Sequence, residues 1–320
     1  MSKVIAFFNL IRFKNLVIIT LTQFVIKYSL INYFVIGFVL TDIQFSLLVA
    51  ATLLITAGGY IINDIYDVET DKINKNEKQI IGNQISAKQA MWWYFLFNTI
   101  GITLGAYLAF IVHIPLLSII FIYSAYSLWT YSKKFKKSLL IGNIQVAFLT
   151  ALSIINIALF DILPNGIAAD NGELMIFKII LYYAGFSALI TLVREIIKDI
   201  EDYKGDTAIN AMTLAIVYGI ENAKNVAFIL TITAFGFIAY FQYFQYSVIS
   251  SEFQYEISIW GAQQIAIFYT LFIQLLFIFL AFKIRKANQK SEFHFISQLS
   301  KLIMLFGILS IPLFTFLHLY

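Results

Sequence analysis

The sequence has no cysteine, and only three prolines and three histidines among 320 residues. No disulfide framework or thiolate metal site is open to it. His113, His294 and His318 lie far apart, which excludes the closely spaced histidines of zinc sites. Charge is scarce as well. Asp, Glu, Lys and Arg make up 12% of the chain, against 60% hydrophobic residues. That is too apolar for a soluble domain with a wet surface. No low-complexity segment or separate soluble domain is visible, and no nucleic-acid partner is expected.

What the chain has is long apolar runs. Runs of 18 or more residues with almost no charge read as membrane-crossing helices, because about 20 residues span the hydrocarbon. The expected fold is an all-α integral membrane protein with nine spans. They fall at roughly 15–39, 44–63, 89–111, 114–131, 139–160, 174–194, 221–243, 262–283 and 298–319. The start, MSKVIAFFNLIRFKN, is basic and partly apolar with no small-residue cleavage site. It reads as a retained interfacial helix rather than a signal peptide.

The loops alternate in charge. Of the 22 Lys and Arg, all but Lys27 and Lys178 fall in the N-terminus, 64–88, 132–138, 195–220 and 284–297, or at the adjoining helix ends. The positive-inside rule therefore puts the N-terminus and these loops in the cytoplasm of a multi-pass cell-membrane protein. The whole chain, 1–320, reads as one domain. Two four-helix-like units, about 15–131 and 139–283, are followed by a ninth helix at 298–319.

Two acidic stretches occupy equivalent places in these units. INDIYDVETDKINKNEK (Ile62 to Lys78) follows span 2, and REIIKDIEDYKGD (Arg194 to Asp206) follows span 6. On a continued helix Asn63, Asp67 and Asp71 recur at i, i+4 and i+8, on one face. Asp199, Asp202 and Asp206 recur at i, i+3 and i+7. Carboxylates roughly 5 Å apart repel by about 3 kcal/mol at an effective dielectric near 20, so a cation belongs among them. Oxygen donors without His or Cys suit a hard ion, Mg²⁺ before others. Magnesium is usually completed by substrate phosphates, and two acidic sets at one membrane face point to a bridged diphosphate. Arg194 and Lys198 flank the second set and Lys78 follows the first; all three suit phosphate oxygens. Lys133, Lys134 and Lys137 in YSKKFKK read as topology signals. Glu69, Glu77 and Glu201 read as ordinary loop charges.

A diphosphate reaching this site from the membrane carries a lipid tail, held at about 0.8 kcal/mol per buried methylene. An allylic diphosphate explains the metal, which stabilises the departing group. Aromatic faces can shield the cation left behind; Tyr66, Tyr123 and Tyr126 are the candidates. Gly101-x-x-x-Gly105 and Gly58-Gly59 read as close helix-packing positions. Asn143 and Gln145 mark a cavity or an interhelical bond.

GGYIINDIYDVETDKINK and REIIKDIEDYKGD, with YSKKFKKSLLIGN between them, resemble the signatures of the UbiA-type membrane prenyltransferases. The resemblance covers nearly the whole chain. It implies a nine-helix bundle with a central cavity and Mg²⁺-dependent transfer of a prenyl group from a prenyl diphosphate donor to a lipid or aromatic acceptor. It assigns Asn63, Asp67 and Asp71 to the first metal and diphosphate set and Asp202 and Asp206, with Asp199, to the second. Asp67, Asp71, Asp202 and Asp206 would carry catalysis. Lys78, Arg194 and Lys198 would hold the diphosphate, with Asn63. Family members usually carry a proline-rich run with an arginine after the first motif; here KNEKQIIGNQIS has no proline and Lys78 stands in place of that arginine. The second motif is nearest the branch that prenylates geranylgeranylglyceryl phosphate or makes chlorophyll-type products. Prenylation of a quinone precursor is the alternative acceptor chemistry, and an ion-coupled transporter is the non-enzyme alternative. A CDP-alcohol phosphotransferase needs a compact acidic signature with internal Gly and Arg, which is missing.

Overall fold

The structure is a computed structural model and describes residues 3–35, 39–68, 79–165, 171–250 and 261–319, with side chains undescribed at 165, 171–172 and 244–250. Ten principal helices order the chain. They are α1 (Lys3–Leu10), α2 (Phe13–Ile26), α3 (Asp42–Tyr66), α4 (Ala87–Ile111) and α5 (Ser118–Lys133). There follow α6 (Ile141–Asp161), α7 (Asn171–Glu201), α8 (Ile220–Ser250), α9 (Gln264–Lys286) and α10 (Lys290–Leu319). Among the described residues there is no strand, and one isolated β-bridge joins Ile81 to Ile85.

Every expected span falls on a helix. Eight of the helices among the described residues are long and apolar enough to cross a membrane. The expected span at 114–131 is the exception. It becomes α5, 16 residues long, entered through a short 3-10 turn at Pro115–Leu117. The first span runs Phe13–Phe34, shorter than the 15–39 read from hydropathy, and includes a π-turn at Lys27–Ile31. The N-terminal segment forms α1, as its pattern implies.

Helix starts follow local chemistry. Thr41 with Gln44 and Ser86 with Gln89 form capping boxes at α3 and α4, each satisfying backbone N–H groups that a helix start leaves bare. Two helices run beyond their apolar stretches. The expected 174–194 span continues as α7 to Glu201, and the expected 298–319 span starts at Lys290. Charged residues at the membrane edge read as loop on hydropathy, yet they are good helix formers.

Packing between apolar helices in lipid depends on close fit. A side chain at Gly101 would press on Ile55, and one at Gly105 would strike the Phe121 ring. The helix α3 lies against α4 and α5 accordingly, and α7 packs against α6, α8 and α10. At α2 the side chains of Lys27 and Asp161 are wholly buried and paired at 2.5 Å. Leu40 N–H donates to the other Asp161 oxygen at 2.9 Å. This ion pair ties α2 to the end of α6.

Candidate active site

A cavity of about 560 Å³ runs between α2, α3, α5, α6, α7 and α10. One end is charged and the rest is walled by residues such as Ile18, Ile55, Leu149, Met304 and Ile311. Asn63 and Asp67 reach the charged end from α3, and Asp199, Asp202 and Asp206 reach it from the end of α7 and the turn beyond. The structure thus brings together the described members of both acidic sets, more than 130 residues apart in sequence. Asp71 and Lys78, with Glu69 and Glu77, lie outside the described residues.

Asn63 donates from Nδ2 to Asp67 Oδ2 at 2.6 Å, the i, i+4 contact that the helical phasing requires. Asp67, which closes α3, is 5% exposed. The second donor on that oxygen is Lys136, whose Nζ pairs with it from the turn before α6. Sequence reading did not single out Lys136 from the lysine run around it. The turn is held in place from two sides. Gly142 lies so close to it that a Cβ there would sit 2.4 Å from Phe135 O. Met212 N–H donates to Lys137 O at 2.8 Å, joining this turn to the segment after Asp206.

Asn143 and Gln145 divide their expected roles. Asn143 Nδ2 donates to Asp199 Oδ2 at 2.8 Å, so it belongs to the cavity. Gln145 donates to Ser127 at 2.8 Å and serves as an interhelical bond. Arg194 and Lys198 line the cavity as expected, but both are engaged by Glu195, at 2.7 and 2.9 Å. That buried carboxylate was absent from the expected set, although R-E-I-I-K places it at i+1 and i−3 from the two cations.

Arg12 is the other unforeseen member. It sits at the left-handed turn between α1 and α2, φ 50°, and its guanidinium pairs with Asp64 at 3.1 Å. It also stacks 4.7 Å from the Tyr60 ring centre. Burial works against its charge, but Asp64, with Tyr60 and Asp67, outweighs this and holds the pKa above the ordinary arginine value. The aromatic candidates were misplaced. Tyr66, Tyr123 and Tyr126 are exposed, while the rings on the cavity wall belong to Tyr60, Phe121, Tyr131, Tyr183 and Phe186. Hydropathy alone does not tell which face of a helix turns inward.

The cavity takes six carboxylates: Asp64, Asp67, Glu195, Asp199, Asp202 and Asp206. Five cations line it: Arg12, Lys136, Arg194, Lys198 and Lys301. Among the described residues no three His, Asp or Glu side chains are placed to hold an ion unaided. Oxygen donors facing one another across a space, one of them already drawing an ammonium group, fit magnesium, which keeps waters and takes substrate phosphates as ligands.

The model of the UbiA prenyltransferase family matches residues 29–302. The chain belongs to the UbiA prenyltransferase family. Among its relatives, the digeranylgeranylglyceryl phosphate synthase of Saccharolobus solfataricus is 40% identical over 181 residues, covering 56% of this chain and 58% of that protein. The synthase of the same name from Sulfurisphaera tokodaii is 34% identical over 74% of this chain and 78% of its own length. A solved digeranylgeranylglyceryl phosphate synthase structure superposes with a TM-score of 0.66 at 23% identity, covering 98% of this chain and 99% of that one. A UbiA homologue from Archaeoglobus fulgidus, solved with GPP and Mg²⁺, superposes with a TM-score of 0.54 at 14% identity over 96% of this chain and 99% of its own. This UbiA family member therefore shares the multi-pass helical membrane fold of those proteins.

Proposed function

We propose that the protein transfers a prenyl group from an allylic prenyl diphosphate to geranylgeranylglyceryl phosphate. The observation that carries this is the convergence of Asn63 and Asp67 with Asp199, Asp202 and Asp206 at one end of a cavity whose remaining walls are largely apolar. The names of the curated relatives support the acceptor.

The reaction breaks the C1–O bond of the donor and forms an ether bond from C1 to a glycerol hydroxyl oxygen. Diphosphate leaves with the bonding pair, and the hydroxyl proton passes to a carboxylate of the cavity. When bound, magnesium supplies the positive charge that stabilises the departing diphosphate. Asn63, Asp67, Asp199, Asp202 and Asp206 would hold it, and Asp71 joins them on the strength of its motif position. Lys136, Arg194 and Lys198 surround the diphosphate oxygens with donors, and Lys78 takes the same part by motif. Asp67, Asp71, Asp202 and Asp206 carry catalysis in this reading. The Tyr131 ring lines the charged end of the cavity, where the allylic cation would form, and aromatic faces stabilise such a charge. The apolar walls hold the tail and keep water out.

We infer a single domain with nine crossings in two four-helix-like units plus a last helix. Helix α5 counts as the short crossing between α4 and α6. The N-terminus and the charged end of the cavity lie on the cytoplasmic side, which the loop-charge asymmetry supports.

Membranes containing the protein, supplied with labelled geranylgeranyl or farnesyl diphosphate and a panel of acceptors, test this by product mass. Geranylgeranylglyceryl phosphate is expected to gain one prenyl unit, with no transfer in excess EDTA. Transfer only to a quinone-precursor ring, or substrate flux in sealed vesicles without covalent product, would contradict it.

A further inference from the structure

Lys301 lines the cavity from α10, a helix that contributes nothing to either acidic set. It is half-buried and has no ion-pair partner among the described residues. The charges acting on it most strongly are Arg194 and Lys198, then Arg12, all of its own sign; Glu195 is the one carboxylate among them. Glu195 is already shared by Arg194 and Lys198. Lys301 therefore stands beside two cations whose shared carboxylate leaves it without an ion pair of its own. Arg194 adds a second mark of an absent partner: its Nε is buried and donates to nothing. A buried donor left unmade costs about 1–3 kcal/mol, more when charged.

An ammonium group without an ion pair and an unused guanidinium edge call for an anion that both can hold. A phosphomonoester carries about −1.5 to −2 charges and three acceptor oxygens. Arg194 lies before the metal end on α7: it precedes Asp199, the first acid of the second set, by five residues, about 7–8 Å along a helix. Below Lys301 the same face of α10 continues as Met304, Ile308 and Ile311, all on the cavity wall. An alkyl chain can lie along it.

We propose that Lys301, with Arg194, binds the phosphate of the anionic lipid acceptor and so selects an acceptor that bears one. This rests on the acceptor reading above and adds the residue that recognises it. The donor's diphosphate stays with Lys136, Lys198 and the acidic sets, and Arg194 is shared between the two anions.

The test uses the full-length protein in nanodiscs, with Lys301→Gln and Lys301→Arg. Lys301→Gln is expected to raise the KM for geranylgeranylglyceryl phosphate about tenfold or more, the loss of one charge-assisted hydrogen bond, and to leave the KM for geranylgeranyl diphosphate unchanged. Lys301→Arg restores most of the loss. Equilibrium binding of the acceptor in EDTA, without donor, falls by the same factor in Lys301→Gln. Geranylgeranylglycerol, which lacks the phosphate, binds both proteins alike, and inorganic phosphate competes only weakly. Wild-type transfer with an unchanged acceptor KM in Lys301→Gln, or an equal rise in both KM values, overturns this assignment alone. Competition by inorganic phosphate as strong as by the lipid also overturns it. Failure of the wild-type protein to prenylate geranylgeranylglyceryl phosphate overturns the acceptor reading and this assignment together.

Discussion

Lys136 Nζ reaches Asp67 Oδ2 across 69 residues of sequence, so the turn before α6 places a positive charge on the first acidic set. An ammonium group at that oxygen marks where the carboxylate draws a cation, and both groups line the cavity in which the proposed diphosphate would bind. Lys136→Gln is expected to raise the KM for the prenyl diphosphate by roughly tenfold to a hundredfold, with Lys136→Arg intermediate. Steady-state kinetics with varied donor at saturating magnesium check this. An unchanged donor KM would show that Lys136 only shields Asp67.

The position of that lysine depends on a glycine. A methyl group at Gly142 would sit 2.4 Å from Phe135 O and 3.1 Å from Lys136 N, both backbone atoms that cannot swing aside. Gly142→Ala is expected to displace the turn and lower kcat/KM for the donor at least tenfold, with the helical content retained by circular dichroism. Gly236 in α8 is the control, since nothing lies within 4 Å of a methyl group there. Gly236→Ala should keep full activity and gain up to about 1 kcal/mol from helix propensity.

The Lys27–Asp161 pair makes a prediction about stability. Both side chains are fully buried, and removing one partner leaves an uncompensated charge at a cost of about 3–5 kcal/mol. Lys27→Met or Asp161→Leu alone should lower Tm sharply in detergent, while the double variant recovers much of the loss. Differential scanning fluorimetry of the three proteins measures it. A double variant as unstable as the worse single one would contradict this account.

Much of this was legible in the residues. The apolar runs located all eight helices that are long and apolar enough to cross among the described residues, because a membrane demands about 20 apolar residues wherever a helix crosses. The phasing of Asn63 with Asp67 was readable because helical periodicity fixes neighbours at i+4. Helix ends at the membrane edge were not readable: α7 carries its apolar stretch on to Glu201, through residues that hydropathy scores as loop. Lys136, Arg12 and Lys301 were missed for a different reason. Each meets the cavity from an element far along the chain, and no local pattern distinguishes a lysine that turns inward from one that marks topology. Glu195 was local and could have been found, since it stands between two cations on one helix.

The central claim is that the acidic residues of α3 and those at the end of α7 act as one metal and diphosphate site. Binding of Mn²⁺ as a spin probe for magnesium, followed by electron paramagnetic resonance with and without a non-cleavable prenyl diphosphate analogue, tests it most directly. The account predicts tight ion binding that needs the analogue and is lost in Asp67→Asn and in Asp202→Asn alike. Full analogue-dependent binding in either single variant would contradict it.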